Sequence, residues 1–117
     1  MKDFRNLKVW EKAHQLTLKI YKITEGFPRE ELYGLTSQIR RAGVSIPTNI
    51  AEGCVRSSDA DFSRFLYISL GSTSELEYLI LLSMDLKFIK SEIHIELNNE
   101  INEIKKMLIS MIQKLKA

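Results

Sequence analysis

Apolar residues recur at steps of three and four along four stretches of the chain, the period of an amphipathic α-helix. The first stretch carries Val9, Ala13, Leu16, Ile20, Ile23 and Phe27. The second carries Leu32, Leu35, Ile39, Ala42, Ile46, Asn49 and Gly53. The third carries Phe62, Phe65, Leu66, Leu76, Leu79 and Ile80, and the fourth Leu97, Ile101, Ile104, Leu108, Met111 and Leu115. With short connections, these stretches predict an all-α fold, an antiparallel up-down-up-down four-helix bundle.

Polar and turn-forming residues mark the ends of the four predicted helices. Asn6 is the expected N-cap of the first helix, and Gly26 is expected to end it. Pro28 is then predicted to open the second helix. Ser58 and Ser91 are the expected caps of the third and fourth helices.

The second helix contains a proline within the stretch "QIRRAGVSIPTNIAEG". Because the apolar period passes straight through Pro47, the pattern predicts a bent helix, although an interior proline costs roughly 3 kcal/mol. Gly43, four residues earlier, gives the backbone freedom to lean away from the proline ring. Ser45 and Thr48 are predicted to bond the carbonyls that the missing N–H leaves free, and Asn49 to hydrogen-bond inside the bundle.

The second and third helices should fold back so that facing positions add to about 115. Gly43 would then lie opposite Gly71–Ser72, with small residues on both sides. Arg40 and Arg41 would lie near Glu75, an ion-pair partner.

Composition describes a single domain that spans residues 1–117. Apolar residues make up 44% and charged residues 27%, as in ordinary globular proteins. The lone cysteine, Cys54, excludes an intramolecular disulfide and suits a reducing compartment. The N-terminus has no apolar signal segment, and the longest apolar run, "YLILL", is too short to span a bilayer. We therefore expect a cytoplasmic protein without a membrane segment.

The net charge of +2 is unevenly distributed. Residues 1–56 hold 10 basic and 6 acidic groups, net +4, and the remainder holds 7 basic and 9 acidic groups, net −2. The candidates for phosphate contacts with nucleic acid are Arg40, Arg41, Arg56, Arg64, Lys105 and Lys106. The alternative is that Glu52 and Glu75 pair with the first two arginines and that the lysines lie on a solvated helix face.

Residue clusters that could carry chemistry are incomplete. Glu11 and His14 form one E-x-x-H unit, but a di-metal bundle site needs a second unit and two further glutamates. Cys54 has no base near it in sequence, and the serines of the third helix lack a nucleophile elbow. No phosphate-binding glycine motif occurs. The sequence therefore predicts no catalytic, metal or cofactor site, and a protein that is not an enzyme.

Several apolar side chains fall outside the four core stripes. They are Leu7, Leu18, Ile68, Leu81, Met107 and Ile109, beside Tyr67 and Tyr78. Their number favours a surface for self-association.

One family resembles this chain over residues 4–81. The matching stretches are "LKVWEKA", "IYKIT..FP.EE.YGL..QIRRA..SIP.NIAEG..R" and "F.RFLYISLGS..EL". They are similar to small bacterial four-helix-bundle proteins encoded in intervening sequences of large-subunit ribosomal RNA genes. The resemblance implies a bundle that assembles into a ring-shaped homopentamer without enzymatic activity. A related branch, the accessory protein of diversity-generating retroelements, binds reverse transcriptase and nucleic acid through a basic surface, whereas this chain is nearly neutral.

Two functions follow as hypotheses. The first is a non-enzymatic homo-oligomeric scaffold that binds RNA, DNA or a nucleic-acid enzyme such as a reverse transcriptase. The alternative is a protein-binding adaptor with no nucleic-acid role.

Overall fold

A computed structural model describes residues 2–116, which form four α-helices and no β-strand. The helices are α1 (Lys8–Thr24), α2 (Leu35–Cys54), α3 (Asp59–Asp85) and α4 (Ser91–Lys116), with single 3-10 turns at Phe4–Asn6 and Arg29–Glu31. The predicted all-α fold with four helices is confirmed. Within the described range, none of the helices combines the length and apolar character that crossing a bilayer requires.

The four helices pack as a closed square, in which α1 and α3 each contact both α2 and α4. Contacts run in opposite senses along α1 and α2. Thr17 and Thr24 of α1 meet Gly43 and Arg40 of α2, so positions rise along one helix as they fall along the other. The bundle measures 44 × 24 × 20 Å, and its long dimension matches the length of about 40 Å expected for a 27-residue helix.

The predicted stripes line one continuous core. Its largest fully buried side chains are Leu16, Ile20, Ile39, Ile46, Ile50, Leu66, Leu76, Ile80, Leu97, Ile101, Ile104 and Leu108. Each such side chain contributes about 1.5–3 kcal/mol through burial. Three assignments to the stripes were wrong. Leu32 is exposed, Ile50 rather than Asn49 is buried on α2, and Ile112 rather than Met111 is buried on α4.

The ends of α1 differ from the prediction. Asn6 is not its N-cap, because Phe4–Asn6 forms a separate 3-10 turn capped by Asp3, whose carboxylate accepts from the Arg5 N–H at 3.0 Å. Helix α1 begins after Leu7 without a side-chain cap. It ends at Thr24, before Gly26, and no glycine in the described chain adopts a left-handed conformation.

The start of α2 was also predicted wrongly. Pro28 precedes only the 3-10 turn Arg29–Glu31, and the α-helix begins at Leu35. The Glu31 carboxylate accepts from the Leu35 N–H at 3.1 Å, so it caps α2 from outside the helix. In contrast, Ser58 caps α3 as predicted and accepts from the Asp61 N–H at 3.1 Å.

Helix α2 continues through Pro47 to Cys54. Side chains of the neighbouring helices donate hydrogen bonds to its backbone carbonyls around the proline. The Thr17 hydroxyl lies 3.1 Å from the Gly43 carbonyl oxygen, the acceptor that Pro47 cannot reach because it has no N–H. On the other side, the Ser69 hydroxyl donates to the Ile46 carbonyl at 2.6 Å. The donors are therefore on α1 and α3. The expected assignment to Ser45 and Thr48 was wrong, and the bend stays a prediction.

The predicted hydrogen bond of Asn49 is formed, since its amide donates to the Ser45 carbonyl at 2.9 Å. It lies within α2, however, and Asn49 is half-buried, so its predicted place inside the bundle core was wrong.

The register of α2 and α3 is as predicted, but their rotation is not. The Ser45 and Ser72 hydroxyls lie 2.8 Å apart, and Ser69 meets Ile46. Gly43, however, faces α1, where an added Cβ would lie 3.8 Å from Ile20, and an added Cβ on Gly71 would meet nothing within 4 Å. The close approach lies instead at Gly53, where a Cβ would fall 2.8 Å from the Phe62 ring.

Candidate interaction surfaces

The E-x-x-H unit of α1 belongs to an aromatic cluster. The His14 ring stacks on Trp10 with centroids 5.0 Å apart and planes 7° apart, and the Phe4 ring lies 4.8 Å from Trp10. Across residues 2–116, no three His, Cys, Asp or Glu side chains come together in a way that could hold a metal ion. These rings therefore present an aromatic surface.

The potential nucleophiles are engaged in packing. Cys54 is buried at the last residue of α2, and burial raises the pKa of its thiol, which favours the unreactive protonated form. Ser69 and Thr73 are fully buried and donate to backbone carbonyls, and Ser72 meets Ser45. The small residues of α3 thus lie in its contact with α2. The sequence predicted this close packing of the two helices.

The six basic residues expected to bind phosphate lie in separate places. Arg40 lies against α1, where its Nε donates to the Thr24 hydroxyl at 2.9 Å and its guanidinium sits 4.7 Å from the Tyr21 ring centroid. Arg41 is exposed and lines a depression with Glu75. Among residues 2–116, neither arginine has a carboxylate within 4.0 Å, so the expected ion pairs with Glu52 and Glu75 are not formed.

Arg56 and Arg64 meet at the connection between α2 and α3. Their guanidinium carbons lie 4.4 and 4.7 Å from the Phe65 ring centroid, within the range of a cation–π contact. Lys2 lies over the neighbouring Phe62 ring, and Arg64 also pairs with Asp61 at 3.4 Å. We call Lys2, Arg56 and Arg64 the basic corner.

The two candidate lysines on α4 have different surroundings. Lys105 donates to the Glu77 carboxylate at 2.8 Å and so joins α4 to α3, whereas Lys106 is exposed. Of the six predicted residues, Arg56 and Arg64 therefore meet at one ring, Arg40 and Arg41 line one depression, and the described structure does not join these two pairs or the lysines into a single surface.

The outward side of α3 carries a second stripe in addition to its core stripe. Its members are spaced by four and three residues and are all exposed: Tyr67, Gly71, Ser74, Tyr78 and Leu81, which we call the outer stripe. The side chains of Tyr67, Tyr78 and Leu81 are 47%, 59% and 41% exposed. The sequence pattern predicted that these three residues lie outside the core stripe, and the structure places them on the exposed side of α3.

A groove between α1 and α2 forms the other large surface feature. It consists of two adjoining depressions of about 680 and 460 Å³ that share Val44 and Thr48, and we call it the α1–α2 groove. The first is lined by Tyr21, Leu32, Tyr33, Ser37, Arg40, Arg41, Val44, Ser45, Thr48 and Asn49, and the second by Phe4, Trp10, His14, Thr17, Val44, Pro47, Thr48, Ala51 and Glu52. The sequence pattern did not predict this groove, although small and apolar residues on the outer side of α2 are a signal for it.

The described residues define an all-helical protein of four packed helices. A family model described as 23S rRNA-intervening sequence protein matches residues 5–110, and the chain belongs to this family. A similar solved structure is a protein of unknown function from the S23 ribosomal protein family of Bacteroides thetaiotaomicron. It is 33% identical, with a TM-score of 0.83 over 90% of this chain and 95% of that chain. No curated protein matches.

Proposed function

We propose that this protein is a non-enzymatic scaffold that assembles with copies of itself through the outer stripe of α3. The observation that carries the proposal is the empty space around Gly71. A glycine inside a helix costs about 0.5–1 kcal/mol relative to alanine, and no contact within the described chain requires one here. Close approach of a second backbone would require it.

The residues beside Gly71 support the same proposal. Tyr67, Tyr78 and Leu81 expose apolar surface on the same side, and their alternating spacing resembles the seam of a coiled coil. We propose the homopentamer that the family resemblance implies, in the cytoplasm.

Light scattering on the full chain tests the assembly. The expected mass is a multiple of 13.6 kDa at micromolar concentration. Tyr78→Glu places a charge in the outer stripe and should reduce the mass to that of the monomer while the helical circular dichroism is kept. Ser110→Glu, at an exposed site on α4, is the matched control. A monomeric wild-type protein would overturn the proposal.

A second candidate function is binding of RNA or DNA by the basic corner. It rests on the convergence of Arg56 and Arg64 on one ring beside Lys2. Affinity should fall as salt rises, because phosphate contacts release counterions, and Arg56→Ala with Arg64→Ala should reduce the salt dependence. Lys106→Ala is the control. Absence of affinity at low salt would favour the alternative, an adaptor that binds only proteins, with a reverse-transcriptase-like enzyme as one partner to test.

A further inference from the structure

We propose that the α1–α2 groove of one copy receives the outer stripe of α3 from the next copy. The interface would then be heterologous, formed by two different surfaces of the same chain. This inference rests on the proposed self-assembly and identifies the surface on which the outer stripe docks.

The two surfaces match in chemistry. The groove presents Trp10, Tyr21 and Tyr33 together with Arg40 and Arg41, and Tyr33 is 93% exposed. Tyrosine, tryptophan and arginine are the residues enriched at the centres of protein interfaces, and no lysine lines either depression. The composition therefore favours a protein partner with an apolar ridge.

The two surfaces also match in length. From Trp10 to Tyr21 the groove follows α1 for about 17 Å, at 1.5 Å per helical residue. From Tyr67 to Leu81 the outer stripe is about 21 Å long by the same measure. The outer stripe is therefore long enough to follow the groove over its whole length along α1.

Charge selects the direction in which the neighbouring helix lies. Within one copy, Ser45 is level with Ser72 and Ile46 with Ser69, so Arg41 stands at the height of Glu75 and Glu52 at the height of Arg64. When two copies stand side by side in the same direction, Arg41 meets Glu75 of the next copy and Glu52 meets Arg64. The reversed direction would bring like charges together at both ends.

The same alignment explains where the glycine lies. Gly71 of the incoming helix comes level with Val44, a residue of α2 that lines both depressions. A residue without a side chain lets the two helix backbones approach there. Gly71 therefore has its role between copies.

The symmetry of the assembly follows from the same interface. Copies that share one direction and use two different surfaces generate a ring when the rotation between them closes. A two-fold interface between identical surfaces cannot by itself generate an odd-numbered ring. This chain presents the two different surfaces that a pentamer needs.

Cysteine cross-linking of the full chain tests the arrangement. Val44→Cys places a thiol in the groove and Ser74→Cys places one in the outer stripe, while Cys54 is buried. After oxidation with copper phenanthroline, the chain carrying both substitutions should give a ladder of disulfide-linked species on a non-reducing gel, up to the size of the ring. Each single variant should stay monomeric on that gel, as should the pair Val44→Cys with Ser110→Cys.

The possible results separate this inference from the proposed function. Dimers from Ser74→Cys alone would indicate that two outer stripes meet each other, which overturns the heterologous arrangement. An oligomeric mass without any ladder would overturn the use of this groove but leave self-assembly standing. A monomeric mass would overturn both proposals.

Discussion

The hydroxyl of Thr17 on α1 lies 3.1 Å from the carbonyl oxygen of Gly43 on α2 and 2.8 Å from that of Ala13 on its own helix. Its one proton is therefore shared between an ordinary intrahelical contact and the acceptor that Pro47 leaves without a partner. Because a buried carbonyl without a donor is costly, the Thr17 hydroxyl offsets part of the cost of the proline in α2. The proline and the α1–α2 contact thus form one structural unit.

Removing this hydroxyl should destabilise the protein. We expect Thr17→Val to lower the free energy of unfolding by about 1–2 kcal/mol, because the Gly43 carbonyl then lies buried without a donor. Thr73→Val is the matched control, since the Thr73 hydroxyl donates only to Ser69 in its own helix. Urea unfolding at one fixed protein concentration measures both changes.

Pro47→Ala provides the decisive background for the same test. An alanine at this position has the N–H that reaches the Gly43 carbonyl, so the cost of Thr17→Val should shrink in that background. An equal cost with proline and with alanine would contradict the assigned role of Thr17.

Two glycines should respond in opposite ways to alanine. At Gly53 the new Cβ would fall 2.8 Å from the Phe62 ring and 3.0 Å from the Phe65 Cβ, so we expect a loss of about 1–3 kcal/mol. At Gly71 the Cβ enters open space, and the higher helix propensity of alanine should raise stability by up to about 1 kcal/mol in dilute protein. Thermal unfolding of both variants measures these changes, and a destabilised Gly71→Ala variant would refute the open-space assignment.

The two adjacent arginines should also differ. Arg40→Ala removes the donor to the Thr24 hydroxyl and the contact with Tyr21, so we expect a loss of about 1 kcal/mol that is already present in dilute, unassembled protein. Arg41 has no carboxylate within 4.0 Å among residues 2–116, and Arg41→Ala should have an effect only where the protein assembles. Unfolding measured over a range of protein concentrations distinguishes the two. A loss for Arg41→Ala that is independent of concentration would argue for a role within one copy.

The contact between α1 and α4 should depend on pH through Lys19. Its ammonium bonds Glu96 at 2.6 Å and Glu100 at 2.7 Å, and hydrogen bonds to Glu100 and Glu96 raise the pKa of Lys19 above its ordinary 10.5. A raised pKa means that the folded state holds the proton more tightly, so the stabilisation is complete below pH 10.5 and is lost as pH rises through the folded pKa. For these largely exposed partners we expect less than about 1 kcal/mol.

Lys19→Met isolates that contribution. The gap in urea midpoint between wild type and variant should be present at pH 7 and should close as the pH rises beyond the raised pKa. A gap that stays constant would assign the effect to packing of the lysine stem.

The sequence predicted the helices and the core well because the period of three and four residues reports directly on burial. It predicted the start of α2 poorly, because Pro28 and the two glutamates after it satisfy the rules for a helix start equally well in a 3-10 turn. Only the folded chain shows that Glu31 instead reaches forward to cap Leu35.

The surface features were also predicted only in part from the sequence. The α2–α3 register followed from where the chain turns, but the side to which Gly43 faces depends on where α1 lies, and a stripe of apolar residues does not specify that. Tyr67, Tyr78 and Leu81 could be found as apolar residues outside the core stripe. The α1–α2 groove could not be found in this way, since it combines residues of two helices and the connection between them.

At Gly71, the stability of the isolated chain and the proposed assembly of copies favour different residues. Alanine is a routine choice for stabilising an exposed helix, and it would improve the isolated chain at this position. The same methyl group would occupy the volume in which we propose that a neighbouring backbone lies. Screening variants by melting temperature alone would therefore favour a chain that folds better and assembles less well.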